Sequence, residues 1–272
     1  MRFMRRSVTR KCPPGEAVVS AAPQPSTVVE VIERLRAIEG AAPRSDGVAC
    51  FARLYREVTE GVDAKLAGQG FADARFLERL DVCFAGLFFA AFDAFERDPA
   101  SIPSAWAPLF RQRAQRGIAP IQFALAGMNA HINRDLPVAL VTTCHALSLD
   151  LREVTPEHAD FERVNVLLGQ VEERIKRSYL SGWLAVVDRV VHRVDRIDDV
   201  VTMWNVGRAR DAAWTNGQAL WALRGDALLA SEFLETLDRM VGLAGRGLLV
   251  PADSLLQKLS RRIKRAWEPS NW

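Results

Sequence analysis

Apolar residues recur every three or four positions through most of the chain, and strand-like alternation of any length is absent. That spacing puts them on one side of α-helices. Thr27 and Glu30 stand in a capping-box arrangement ahead of a helix whose Val28, Val31, Ile32, Leu35 and Ile38 share a side, and Gly40 ends it. A second helix is expected from Gly47 to Leu66, with Phe51, Leu54, Tyr55 and Val58 inward. Asp73 can cap a long third helix from Ala74 to Arg97. After Val82 its apolar residues surround the axis, as in a helix at the centre of a bundle.

Asp98–Ser104 is a loop, followed by a short helix from Ala105 to about Gln115 that Gly117 closes. Pro120 opens the next helix, which runs to about Arg134; there Asp135-Leu136-Pro137 should break it and start another, reaching Leu149. Thr155-Pro156 begins a helical pattern that extends to about Arg196, interrupted near Ser181-Gly182. Asp198 or Asp199 opens a helix to Leu223, Gly225 ends it, and Asp226 caps one to about Leu243. Ser254 and Gln257 cap a last helix ending at Trp267. No repeat and no long linker divides the pattern. The expectation is an all-α fold, a single bundle of about nine to eleven helices over residues 26–272, behind a disordered N-terminal arm over 1–25.

Composition narrows the class. Hydrophobic residues make up 49% and charged residues 25%, which excludes disorder, collagen and a fibrous rod. A net charge of +3 is too mild to call for a nucleic acid, and none is expected as a partner. The basic N-terminus meets Pro13, Pro14 and Glu16 before an apolar core forms, so it does not read as a secretory signal. The most apolar segment, Val82–Phe95, is short and carries Asp93, so no transmembrane segment is expected. Cys12, Cys50, Cys83 and Cys144 lack zinc-binding spacing and read as reduced thiols of a cytoplasmic protein.

Three clusters carry candidate chemistry. In Gly127–Pro137 (GMNAHINRDLP), His131 and Asp135 share a helix face, with Met128 and Ile132 on the apolar side and Asn129 and Asn133 adding polar groups. His131 is either a metal ligand or general acid–base oriented by Asp135, or a core histidine beside an Asp135 that caps the next helix. In Phe76–Val82, Asp81 falls among the inward Leu77, Leu80 and Phe84, with Glu78 on an adjoining face. A carboxylate there needs a metal or a cation, from Arg75, Arg79 or another helix. In Asp198–Trp214, the frame Trp204, Gly207, Asp211, Trp214, Gln218 and Trp221 puts three indoles on one face, with Arg208 three residues before Asp211. These indoles are either core or the lining of an apolar pocket with fixed polar groups. Asp188 and His192, followed by Asp195, have metal-type spacing, and the basic helix Leu255–Trp267 has the charge for a membrane surface or a nucleic acid, but both read first as solvated faces.

FLERLDVCFA, GMNAHINRDLP and WNVGRARDAAW together resemble an uncharacterised bacterial family of actinobacterial type, a domain of unknown function, over roughly Ala49 to Leu223. The resemblance implies that Glu78, Asp81, Asn129, His131, Asp135, Arg208, Arg210, Asp211 and Trp214 are the positions to test, and assigns them no roles. His192 lies outside it.

Two functions follow from the residues. One is a small-molecule enzyme with His131, Asp135 and Asp81 as its catalytic groups. Asn129, Trp204, Arg208, Asp211 and Trp214 would bind an apolar substrate, as in a cyclase, isomerase or oxygenase. It would work either without a metal or with a divalent ion such as Fe, Mn or Zn on Glu78, Asp81, His131 and Asp135. The Glu-x-x-His pairs of ferritin-like di-iron proteins are missing, as are a nucleophile elbow, a P-loop and a dinucleotide fingerprint. The alternative is a non-catalytic binding or scaffold protein whose buried His/Asp/Arg network fixes helix register.

Overall fold

Residues 24–66, 71–169 and 205–251 are described in the computed structural model of the chain. Among them every regular element is a helix and none is a strand, so the protein is all-α. In chain order the helices are α1 (Val28–Gly40), α2 (Gly47–Leu66), α3 (Ala74–Arg97), α4 (Ala107–Gln112), α5 (Pro120–Ala130), a π turn (His131–Asp135), α6 (Leu136–Leu147), α7 (156–169), α8 (Val206–Ala222), a short 3-10 turn (Leu223–Gly225) and α9 (Ala227–Leu248).

Several helix ends follow directly from local chemistry. Thr27 Oγ1 accepts from the Glu30 N–H (3.3 Å), and Asp73 Oδ1 accepts from the Phe76 N–H (2.9 Å). Asp226 Oδ1 accepts from the N–H groups of Leu228 and Leu229 (both 3.1 Å). The capping box at α1 is only half formed. The Glu30 carboxylate reaches past Thr27 to the Ser26 N–H (2.6 Å) and hydroxyl (2.9 Å). At α8 the cap is Asn205, whose side chain accepts from the Arg208 N–H, so this helix starts at Val206; the expected start at Asp198 or Asp199 lies outside the described residues. Helix α6 stops at Leu147, before the expected Leu149, because Ser148 turns into the left-handed region (φ 56°). Helix α9 runs beyond Leu243 to Leu248, since Gly242 and Gly245 sit on its buried face and continue its contact with the bundle.

The largest departure from the sequence pattern is at Asp135-Leu136-Pro137. The chain does not break there; α5 passes through the π turn into α6, with the Leu136 N–H donating to the His131 carbonyl five residues back. Pro137 removes one donor and crowds the preceding turn. The wider π turn accommodates both effects, as such bulges do at functional sites. Asp135 has helical angles (φ −81°, ψ −37°) and makes no capping bond, so its carboxylate is free for the interior.

Helices α1 with α2, α2 with α5, α3 with α6, α5 with α9 and α6 with α8 form the main pairs. Phe51, Phe88, Trp106, Phe110 and Phe123 fill the space between them. A Cβ at Gly127 would overlap the Phe51 ring, so glycine is what lets α5 lie close against α2. The fully buried Asp160 accepts from the Asp73 N–H (2.7 Å), which ties α7 to the start of α3. No helix among the described residues is long and apolar enough to cross a membrane. The N-terminal arm, the break near Ser181-Gly182, the Asp188/His192/Asp195 set, Trp204 and the helix Leu255–Trp267 lie outside the described residues.

Candidate functional site

A cavity of about 490 Å³ lies among α2, α3, the π turn, α7 and α8. Its walls are mostly apolar, including Val58, Val62, Leu77, Ile132, Leu168 and Val206, and the exposed Thr27, Asp63 and Glu78 also line it. Four polar side chains line it from separate elements: Tyr55 on α2, Asp81 on α3, His131 in the π turn and Arg210 on α8. Size and lining match a small-molecule site, in which a few fixed polar groups sit in an apolar enclosure.

The imidazole of His131 is 1% exposed and stacks flat on Phe84, with ring centroids 3.5 Å apart and planes 7° from parallel. Phe51 and Tyr55 meet it edge-on. Its Nδ1 lies 3.3 Å from Asp135 Oδ2. A carboxylate accepts, so Nδ1 carries the proton and Nε2 keeps a lone pair. Nε2 is buried without a hydrogen-bond partner among the described residues. Burial holds the His131 pKa below its ordinary value, against the opposing pull of Asp135. Asp135 is fully buried and well supplied with donors. Trp106 Nε1–H donates to Oδ2 (3.0 Å) and the Arg134 guanidinium to Oδ1 (2.8 Å). Arg134 in turn lies 3.6 Å from Asp238, which accepts from the Ser104 and Ala105 N–H groups.

On the cavity side the polar atoms lack such support. Tyr55 Oη and Asp81 Oδ2 are buried without partners among the described residues. Burial pushes the Asp81 carboxyl up to about 6, with the Arg210 charge opposing the rise. The Tyr55 phenol is held well above its usual value by burial and by Asp81. Arg210 is 7% exposed; its Nε–H donates to Asn165 Oδ1 and its guanidinium lies over the Phe161 ring, 4.1 Å from the centroid. Burial lowers its pKa to about 10.

The expected site residues therefore divide. His131, Asp81 and Glu78 all line the cavity, Glu78 from its exposed part. Asp135 stands behind the imidazole with both oxygens engaged, away from the lining. Glu78, Asp81, His131 and Asp135 do not form one ligand shell, and the described residues hold no group of three or more His, Cys, Asp or Glu side chains that could bind a metal. Asp135 spends its oxygens on Trp106, His131 and Arg134.

The expected binding residues are mostly elsewhere. Asn129 is structural in its contacts: its Nδ2–H donates to the Val241 carbonyl (3.0 Å) and its Oδ1 accepts from Asn133 (3.1 Å). Arg208 and Asp211 are exposed, and Asp211 accepts from Asn165 (3.1 Å). Trp214 is buried against His158 and Phe161 and does not line the cavity.

A family model described as "Family of unknown function (DUF5995)" matches residues 28–251. The chain belongs to this family. The DUF5995 span contains all four polar groups of the cavity and the Asp135 network behind them. No match was found among curated proteins or among solved structures.

Sequence reasoning placed the inward face of this DUF5995 chain's α8 one position off. The buried residues are Val206, Arg210, Ala213, Trp214, Gly217 and Leu220, so the stripe carries Arg210 where the three-indole frame put Asp211. An arginine on an apolar stripe was the available signal. Tyr55 was placed in the core, but a phenol has to bond with something, and nothing in its sequence neighbourhood identifies a partner.

Proposed function

We propose that the protein is a small-molecule enzyme that moves a proton on an apolar substrate bound in this cavity. His131 is the general base, and Asp135 is a positioning residue that fixes its tautomer. The observation that carries the reading is the convergence of three buried atoms without partners among the described residues, Tyr55 Oη, Asp81 Oδ2 and His131 Nε2, from three elements lining one cavity. Each costs desolvation energy unless a ligand meets it; Arg134 Nε, Thr143 Oγ1 and Trp214 Nε1 are also without a hydrogen bond among the described residues, but they do not line the cavity. Their environments also push the two titrating groups toward complementary roles. His131 is held neutral as a base and Asp81 is raised to about 6 as a proton donor. Tyr55 and Arg210 supply further donors for charge that develops on the substrate. The buried thiols of Cys50 and Cys144 suit a cytoplasmic setting.

The test uses an apolar substrate that reports base strength alone. In nitrobenzisoxazole the base removes the ring C–H proton, the N–O bond breaks and a cyanophenolate leaves. The native protein is expected to open this ring on the order of 100-fold faster than His131→Gln. The rate should fall on acidification as His131 takes a proton. Equal rates in the two proteins overturn the reading. The alternative, a non-catalytic binding or scaffold protein, draws on the saturated Asp135 side of the site, and equal rates would favour it.

A further inference from the structure

The guanidinium of Arg210 is the cation of the cavity wall, and its interactions are one-sided. Its Nε–H is committed to Asn165 and one face of its plane to Phe161. Neither terminal nitrogen bonds to a described residue, and no carboxylate among the described residues lies within ion-pair distance. A buried charge left in that state is costly unless something completes it. The two terminal N–H edges form a planar fork, the geometry that receives a carboxylate through two parallel hydrogen bonds. Asn165 is held in turn by Asp211 (3.1 Å) and Glu162 (3.3 Å), so the fork is set in place before any ligand arrives. The remaining lining is aliphatic over α2, α3 and α7, with Val58, Val62, Leu77, Val164 and Leu168.

We infer that the ligand of this cavity is an amphipathic carboxylic acid whose carboxylate docks on the Arg210 fork while its hydrocarbon body fills the apolar part. This deepens the reading of the same site as an enzyme and rests on it. The carboxylate is the handle, and the proton that His131 removes comes from the body of the substrate.

Charge balance adds a second requirement. The groups facing the docking point are Asp81 from α3, Tyr55 and Asp63 from α2, His131 from the π turn and Arg210 itself; Glu78 also lines the cavity, from its exposed part. Glu162 on α7, Asp81 on α3 and Asp211 on α8 are the carboxyls whose charge bears on Arg210, and of these Asp81 lines the cavity. A second carboxylate arriving beside it keeps Asp81 protonated, because two like charges at one site cannot both ionise cheaply. Binding therefore takes up a proton at Asp81 above about pH 6.

The experiment compares decanoic acid with decanol on the full chain by titration calorimetry at pH 7, in two buffers of different ionisation enthalpy. The acid is expected to bind at least tenfold tighter than the alcohol, with a buffer-dependent heat that reports proton uptake. Arg210→Met should abolish the preference and Asp81→Asn the proton uptake. If Arg210→Met does not fold, Arg210→Lys keeps the charge but loses the fork, and the preference should shrink. Equal binding of acid and alcohol to the native protein overturns the inference and needs no variant. The enzyme reading is decided separately, by the His131 dependence of nitrobenzisoxazole opening.

Discussion

The two ring nitrogens of His131 face two different environments. On the Nδ1 side the network is nearly closed: Asp135 meets Trp106, Arg134 and the imidazole, and Arg134 leads on to Asp238 and the loop before α4, its Nε ion-paired at 3.6 Å without a hydrogen bond among the described residues. On the Nε2 side the imidazole, Tyr55 and Asp81 have unpartnered atoms around a cavity. Both regions are buried, belong to the same helices and share one aromatic ring. The difference separates a network closed on itself from a set of polar atoms that no described residue pairs, and the proposed ligand site rests on that second set.

The largest effect should come from breaking the satisfied side. Asp135→Ala strands the Trp106 N–H, the Arg134 guanidinium and Nδ1 of His131 at once. It should cost about 3–5 kcal/mol, read as a fall in the urea midpoint. Next is Asp81→Asn on the unsatisfied side, which should stabilise. The folded pKa of Asp81 lies above its ordinary 3.8, near 6, so the native state holds this proton more tightly than the unfolded chain. Stability is therefore lost as pH rises from about 4 to about 6, and above that the full penalty of roughly 2–3 kcal/mol applies. The variant should match the native protein at pH 4 and exceed it at pH 7 in thermal melts. A smaller loss, about 1–3 kcal/mol, is expected for Gly127→Ala, whose new methyl group meets the Phe51 ring. Tyr55→Phe should be nearly neutral, within about 1 kcal/mol, because the hydroxyl it removes has no partner. A large destabilisation by that last change would move Tyr55 to the structural side and weaken the contrast.

Much of this molecule was legible one element at a time. Apolar spacing located α1, α2 and α3, and the side chains of Thr27, Asp73 and Asp226 marked the starts of α1, α3 and α9, since these bonds reach only two or three residues. The inward turn of Asp81 could be read from Leu77, Leu80 and Phe84 around it, and the pairing of His131 with Asp135 from their spacing. The π turn could not be read this way, because Pro137 signals a break in local chemistry while the continuation goes with tertiary packing against α3, α8 and α9.

The sequence by itself determined the helices, the all-α class and the inward imidazole, because periodicity and capping are short-range properties. Tertiary structure alone decided that Tyr55, Asp81 and Arg210 join that imidazole while Asp135 is drawn off to Trp106. These residues are far apart in the chain, and which polar atoms go unpaired depends on which helices pack together.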